Sequence, residues 1–120
     1  MKAAQVEYQK ALETQPNSVF LLNKTANVMM MQGNFDGALP LLQRAEQLYP
    51  DSFPGTYKRL GTIYFAKEDY RKAKTYFEQS AGINPFDPEV QRQLLEIYSK
   101  LNMTDAKKET ERKLALLEKS

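Results

Sequence analysis

The chain has 120 residues, of which 42% are hydrophobic and 27% charged, which is ordinary for one folded domain. It contains no cysteine and no histidine, which excludes disulfides, thiolate nucleophiles, zinc sites built from those residues and histidine acid–base catalysis. The net charge of +2 is too small to argue for binding to nucleic acid or to a membrane surface.

Apolar residues recur at intervals of three and four in seven stretches, without sustained alternation of period two, which predicts seven helices and no sheet. In chain order, the predicted helices span about residues 3–14, 18–32, 35–48, 54–67, 70–82, 88–100 and 104–118. Asp87 and Pro88 form the clearest helix start, a capping carboxylate followed by proline at the first helical position. Pro40 falls near the start of the third helix and predicts a bend there or a later start. The short connections make consecutive helices antiparallel neighbours.

One pattern of small, large apolar, small and proline residues occurs three times, at steps of 34 and 35 residues. The three copies are Ala4, Tyr8, Ala11 and Pro16; Ala38, Leu42, Ala45 and Pro50; and Ala73, Phe77, Ser80 and Pro85. A constant period in this range predicts helical hairpins that stack into an open array instead of a closed globule. Such a stack leaves an extended groove for a partner.

The best-preserved unit reads Tyr57, Leu60, Gly61, Tyr64, Ala73, Phe77, Ser80 and Pro85. It resembles the tetratricopeptide repeat, and the preceding unit matches with Leu22, Thr25, Ala26, Met29, Ala38, Leu42, Ala45 and Pro50. The resemblance covers nearly the whole chain. It implies an all-α, right-handed α-solenoid of antiparallel helix hairpins, cut from a longer protein of this family. Small residues such as Gly61 would let paired helices approach closely.

Both ends depart from the pattern. The predicted division is a second helix of a truncated repeat at 3–16, repeats at 19–52 and 53–87, and a degraded repeat with a C-terminal capping helix at 88–119. Nothing before Ala3 supplies the partner helix, so Val6 and Leu12 need cover from elsewhere. In the last unit, Leu95 and Leu114 stand where small residues are expected.

The resemblance implies that a partner binds on the concave surface, which the first helix of each unit lines. The groove residues expected there are Asn23, Asn27 and Met30; Lys58, Thr62 and Phe65; and Arg92, Glu96 and Ser99. Steps of four and three place each trio on one face of its helix. The row of Asn23, Lys58 and Arg92 is suited to donate hydrogen bonds to backbone carbonyls or a carboxylate. The alternative that Lys58 and Arg92 only solvate the surface stays open.

One subgroup of the family grips a C-terminal carboxylate with lysines, asparagines and arginines. Asn27 matches one of its asparagines, but the remaining positions differ. Asn23, Arg59, Glu89 and Gln93 occupy them. That specificity is therefore not expected.

The leading hypothesis is a noncatalytic scaffold that binds a protein or peptide segment. An RNA-binding helical repeat is an alternative, disfavoured by Glu96 in the groove and by the small net charge. A second alternative is a homo-oligomer in which the exposed first helix docks on the seventh helix of another copy. An enzyme is not expected, because pairs such as Glu89 with Glu96 have no accompanying nucleophile. No cofactor, metal, nucleic acid or membrane span is expected, and the sequence does not indicate a compartment.

Overall fold

The computed structural model describes residues 2–50 and 54–119. These residues form seven α-helices: α1 (Lys2–Thr14), α2 (Val19–Met31), α3 (Phe35–Leu48), α4 (Pro54–Ala66), α5 (Tyr70–Ile83), α6 (Pro88–Lys100) and α7 (Thr104–Glu118). Each helix packs against the next in the chain, and α2 also contacts α4, within an elongated body of 46 × 27 × 25 Å. The predicted all-α solenoid is confirmed, and the predicted helix termini lie within one residue of those observed.

The turns within the three complete helix pairs share one backbone conformation. Gly33, Glu68 and Asn102 all have positive φ, of 79°, 62° and 58° respectively. In each turn, the N–H of the following residue donates to a carbonyl five residues earlier. These bonds join Asn34 to Met29 at 2.8 Å, Asp69 to Tyr64 at 2.9 Å and Met103 to Tyr98 at 2.9 Å. The arrangement is the Schellman C-cap, so the sequence period corresponds to a repeated turn.

Local side-chain caps fix where several helices begin. The side chains of Ser18, Asn34, Asp69 and Asp87 accept backbone N–H bonds in the first turns of α2, α3, α5 and α6. Met103 precedes α7 at the equivalent place and makes no such bond. The caps explain why helix starts could be predicted from residue type.

Pro40 lies inside α3, which begins at Phe35 and continues to Leu48. The alternative that this helix starts later was therefore wrong. The proline ring removes one backbone donor, but the cap at Asn34 and the burial of Ala38 and Leu42 hold the first turns in place.

The buried apolar residues form two clusters along the array. The first, from α2, α3 and α4, contains Ala26, Ala38, Leu42, Tyr57, Leu60 and Ile63. The second, from α5 and α6, contains Ala73, Phe77, Val90, Leu94, Ile97 and Tyr98. Gly61 joins them, because a Cβ added there would lie 2.9 Å from two ring carbons of Phe77. The glycine therefore lets α4 and α5 approach closely.

The ends of the array are less well covered. Val6 on α1 is 47% exposed and Leu116 on α7 is 65% exposed, whereas Leu114 and Leu117 are half-buried. Within the described residues, no helix combines the length and apolarity needed to cross a bilayer.

Candidate interaction groove

A cleft of about 320 Å³ lies where α2, α4 and α6 meet. Its lining residues are Asn27 and Met30 from α2, Gly55, Lys58, Arg59 and Thr62 from α4, and Glu89 from α6. These three helices are the first members of successive pairs. The cleft brings together four residues that the sequence register predicted for the groove, and adds Gly55, Arg59 and Glu89 to them.

Asn23 is buried below this cleft, with 1% of its surface exposed. Its amide nitrogen donates to Thr56 Oγ1 at 2.9 Å and to the backbone carbonyl of Val19 at 3.0 Å. Its Oδ1 accepts from Arg59 Nη1 at 2.9 Å. This corrects the expectation that Asn23 donates to a partner. Its short side chain cannot extend to the surface as the long stem of Lys58 does at the equivalent register position.

Lys58 is bound by two carboxylates from the start of α6. Its ammonium lies 2.9 Å from Asp87 Oδ2 and 3.2 Å from Glu89 Oε2. Burial lowers the pKa of Lys58, but the two carboxylates outweigh it and the net shift is upward. Asp87 also caps α6, since its Oδ1 accepts the N–H of Glu89 at 3.0 Å. Lys58 therefore ties α4 to the N-terminus of α6, and an anion from a partner must compete with both acidic groups.

The contact with Lys58 shifts the pKa of Asp87 in the opposite direction. Burial raises the pKa of its carboxyl group, but the hydrogen bond and charge of Lys58, with backbone N–H bonds from Glu89 and Val90, lower it overall. The carboxylate is thus ionised throughout the neutral range.

Arg59 is one of three cleft residues that the register did not assign to the groove. It is half-buried, and its guanidinium donates to Asn23 Oδ1. Burial lowers its pKa, with no acidic group acting in the other direction. The register assigned groove positions at steps of three and four, so Arg59 entered the sequence analysis only as a mismatch to the carboxylate-gripping pattern.

The other three predicted residues of the cleft are two polar side chains, Asn27 and Thr62, and the flexible apolar side chain of Met30. The Asn27 amide nitrogen has only a weak acceptor, Met31 Sδ at 3.6 Å. Met30 is half-buried against the first core cluster. Thr62 is exposed and donates to the carbonyl of Lys58 at 2.9 Å. Asn27 is therefore the side chain that can most easily exchange its partner for one on a ligand.

Besides Asn23, four predicted residues do not line the cleft. Phe65 is half-buried and packs edge-to-face on Tyr70, with centroids 5.4 Å apart. Arg92 is paired with Glu118 of α7 at 2.8 Å. Glu96 is exposed, and the exposed Ser99 donates to the carbonyl of Leu95 at 3.0 Å. The predicted groove is therefore divided, with a cleft at its first part and an open surface along α6.

The cleft offers hydrogen bonding and charge, and no arrangement typical of catalysis. Within the described residues, no cluster of three or more Asp and Glu side chains is placed to hold a metal ion. The carboxylates that line or flank the cleft are engaged by Lys58 or by the α6 backbone.

A model of the tetratricopeptide repeat family matches residues 29–96, more than half of the chain. The chain is 29% identical over 101 residues to the type IV pilus assembly protein PilF of Pseudomonas aeruginosa, and 29% identical over 82 residues to tetratricopeptide repeat protein 13 of Homo sapiens. These alignments include 82% and 68% of this chain, but span only 40% and 9% of the two relatives.

Solved structures share the same architecture. A double mutant of MamA superposes with a TM-score of 0.87 at 19% identity, over 98% of this chain and 66% of that one. YrrB, described as a TPR protein with an unusual peptide-binding site, superposes with a TM-score of 0.85 at 21% identity. That superposition covers 92% of this chain and 56% of YrrB. At these identities, the likeness shows the fold.

Proposed function

The chain belongs to the tetratricopeptide repeat family, and on that premise we propose that it is an interaction scaffold that binds an extended protein segment between α2, α4 and α6. The observation that carries the proposal is the cleft of about 320 Å³ formed by the first helices of three successive pairs. Its volume is at the lower end of ligand sites, so a short stretch of chain fits it and a folded surface does not. The peptide-binding site named for the fold neighbour YrrB is consistent with this use.

The lining of the cleft suits a peptide backbone. An asparagine amide offers both a donor and an acceptor, which match the carbonyl and N–H of an extended residue. Asn27 is half-buried and its present acceptor is a thioether, so little is lost when a carbonyl replaces it. Met30 beside it supplies a soft apolar surface on which a partner side chain can pack.

Lys58 has a supporting part in this proposal. Its ammonium is occupied by Asp87 and Glu89, and the three groups together join α4 to α6 across the cleft wall. This charge network links the two helices at the wall of the cleft. Lys58 thus sets the width of the cleft, and the donor to the partner is Asn27.

The test is selection of heptapeptides from a random display library on the immobilised chain, followed by fluorescence anisotropy of the selected peptides. Asn27→Ala should weaken their binding by about tenfold, the value of one or two hydrogen bonds. Gln9→Ala, on the exposed surface of α1, is the matched control and should bind as the wild type does. Peptides that bind Asn27→Ala as tightly as the wild type would place the site elsewhere. A library without saturable binders would argue against peptide binding, and an unstructured oligonucleotide tested in parallel would then examine the RNA alternative.

A further inference from the structure

Gln91 is a polar residue at a buried position of α6. The repeat register places it where Leu22 and Tyr57 stand in the two preceding units. All three are buried, with 3% of the surface of Gln91 exposed, 1% of Leu22 and 3% of Tyr57. Leucine and tyrosine fill this position mainly with apolar atoms, whereas glutamine brings a carboxamide into the interior. Burial of a carboxamide is costly unless it forms hydrogen bonds, so this group needs a partner.

The folded chain does not supply that partner within its described residues. The backbone N–H of Gln91 donates to the carbonyl of Asp87 at 3.2 Å. Its side-chain carboxamide makes no hydrogen bond with any part of the chain that the structure describes. Asn23, which is as deeply buried in α2, makes three side-chain hydrogen bonds. The donor and the acceptor of Gln91 are therefore both available to a ligand.

Gln91 lines a cavity of about 320 Å³ between α5 and α7, both of which pack on α6. The α6 side of the cavity is formed by the buried residues Gln91, Leu94 and Tyr98. Its rim carries the exposed residues Glu78 and Lys113. This volume is at the lower end of ligand sites, so the cavity can admit a small group or one side chain.

Two hydroxyl groups in the same cavity add acceptors to it. Burial and the neighbouring Glu78 raise the pKa of Tyr98, so the hydroxyl keeps its proton and donates it to Glu78 at 2.6 Å. Thr110 is buried and donates to the carbonyl of Ala106 at 2.8 Å. Both groups use their proton within the chain, and their oxygen atoms keep lone pairs that can accept from a ligand. A ligand N–H therefore has acceptors here, and a ligand carbonyl has the Gln91 amide as donor.

The carboxamide of Gln91 selects the class of ligand. An anion could use only its donor and a cation only its acceptor, whereas a ligand with an adjacent N–H and carbonyl uses both. A primary carboxamide carries these two groups on one edge. In a trans peptide group they point in opposite directions, so one of the two bonds is lost. The edge of adenine offers a similar pair, but the phosphates of a nucleic acid would approach the carboxylate of Glu78 at the rim.

We propose that Gln91 binds a primary carboxamide, the side-chain group of asparagine or glutamine, in the cavity between α5 and α7. The group can belong to a partner protein or to the free amino acid. The inference does not depend on peptide binding between α2, α4 and α6, because the cavity and the cleft share no lining residue. It accounts for a carboxamide at a position where the preceding units bury a large apolar side chain.

The first experiment titrates the isotope-labelled chain with acetamide and follows the side-chain NH₂ of Gln91 and the backbone N–H of Thr110 by NMR. Acetamide should shift both resonances saturably. Sodium acetate and N-methylacetamide, which cannot form both bonds, should bind several-fold more weakly. Gln91→Met should abolish the response at Thr110. Gln47→Met removes an exposed glutamine of α3 outside the cavity and, as the matched control, should leave the response unchanged.

Three results would overturn the proposal. They are the absence of a saturable response to acetamide, equal binding of the three compounds, and an undiminished response in Gln91→Met.

Thermal unfolding separates ligand binding from a structural role of Gln91. Methionine has a similar length and no carboxamide to bury, so Gln91→Met should unfold at the same temperature as the wild type or at a higher one. A lower midpoint would show that the carboxamide is bonded within the folded chain, which contradicts the proposal.

Gly82→Leu is an independent variant that keeps Gln91. Gly82 lines the cavity, and a Cβ added there would have nothing within 4 Å. The leucine side chain should therefore occupy part of the cavity and weaken acetamide binding several-fold without unfolding the chain. Undiminished binding by this variant would place acetamide outside the cavity.

Larger ligands identify the source of the carboxamide. N-acetyl-L-glutamine methylamide represents glutamine within a protein, and free L-glutamine represents the amino acid. The tighter binder identifies the source, and both should lose their binding in Gln91→Met. If neither binds and adenosine binds saturably, the cavity recognises a nucleobase and the proposal is wrong.

Discussion

Gly61→Ala is the substitution that most directly tests how the helices are packed. Alanine gains about 1 kcal/mol over glycine in a helix interior. Its Cβ, however, would lie 2.9 Å from two carbons of the Phe77 ring, closer than side chains normally come. Phe77 is 1% exposed and packed within the second core cluster. Overpacking of this kind costs about 1–3 kcal/mol, so after the gain in helix propensity we expect a net loss of up to about 2 kcal/mol.

Gly82→Ala is the matched control. Gly82 is also helical, in the last turn of α5, and an added Cβ would have nothing within 4 Å. Helix propensity alone then acts, and we expect stabilisation by about 0.5 kcal/mol. Urea unfolding followed by circular dichroism measures both variants, and their effects should have opposite signs. If Gly61→Ala is stabilised as much as Gly82→Ala, the close contact between α4 and α5 is wrong.

A double-mutant cycle identifies the cause. Phe77→Leu removes the atoms that the new methyl group would meet, at the cost of part of the core. This substitution should therefore cost less in the Gly61→Ala background than in the wild type. A coupling energy near zero would show that the two positions do not compete for space.

Three further predictions concern turns and charges. Glu68→Gly should raise the free energy of unfolding by about 1 kcal/mol, because residue 68 has a φ of 62° that glycine adopts without strain; urea unfolding that shows a loss would contradict this. Burial, together with the nearby Glu46, raises the pKa of Tyr76 to about 12, so the folded state keeps this proton longer than the unfolded chain and stability falls as the pH rises from about 10. Tyr76→Phe should make that fall shallower in unfolding measured from pH 9 to 12, and an unchanged slope would count against the shift. Lys58 helps to lower the pKa of Asp87, so their pair stabilises the fold at neutral pH and loses its effect as the pH falls below the usual value of 3.8. Lys58→Met should cost about 0.5–1 kcal/mol at pH 7 and little at pH 2, and equal losses at both would refute the ion pair.

The fold could be predicted because its determinants are local. Prolines, cap residues and apolar spacing mark the helices, and each acts within a few residues of where it stands. The shared turn conformation was less visible in the sequence. Gly33 and Asn102 are residue types that favour positive φ, but Glu68 is not, and its conformation is imposed by the helices on either side.

The location of the candidate site could be predicted from the sequence, but the contacts that its side chains make with one another could not. Register placed Asn27, Lys58 and Thr62 on one surface. It could not show that carboxylates 29 and 31 residues away occupy Lys58, because such a contact depends on how α6 lies against α4. The register also gave Asn23 and Lys58 equivalent groove positions. The short side chain of Asn23 is buried, whereas the longer side chain of Lys58 reaches the cleft.

The shared turns limit how a protein of this kind can evolve. An additional copy of residues 54–87 would begin with Pro54 directly after Asp87, which preserves the Asp-Pro junction now formed with Pro88. Its turn would fall at the same register, so the new pair could stack without adjustment elsewhere. Duplication can therefore lengthen the array by one helix pair at a time, whereas a point substitution changes only the side chains that one pair presents.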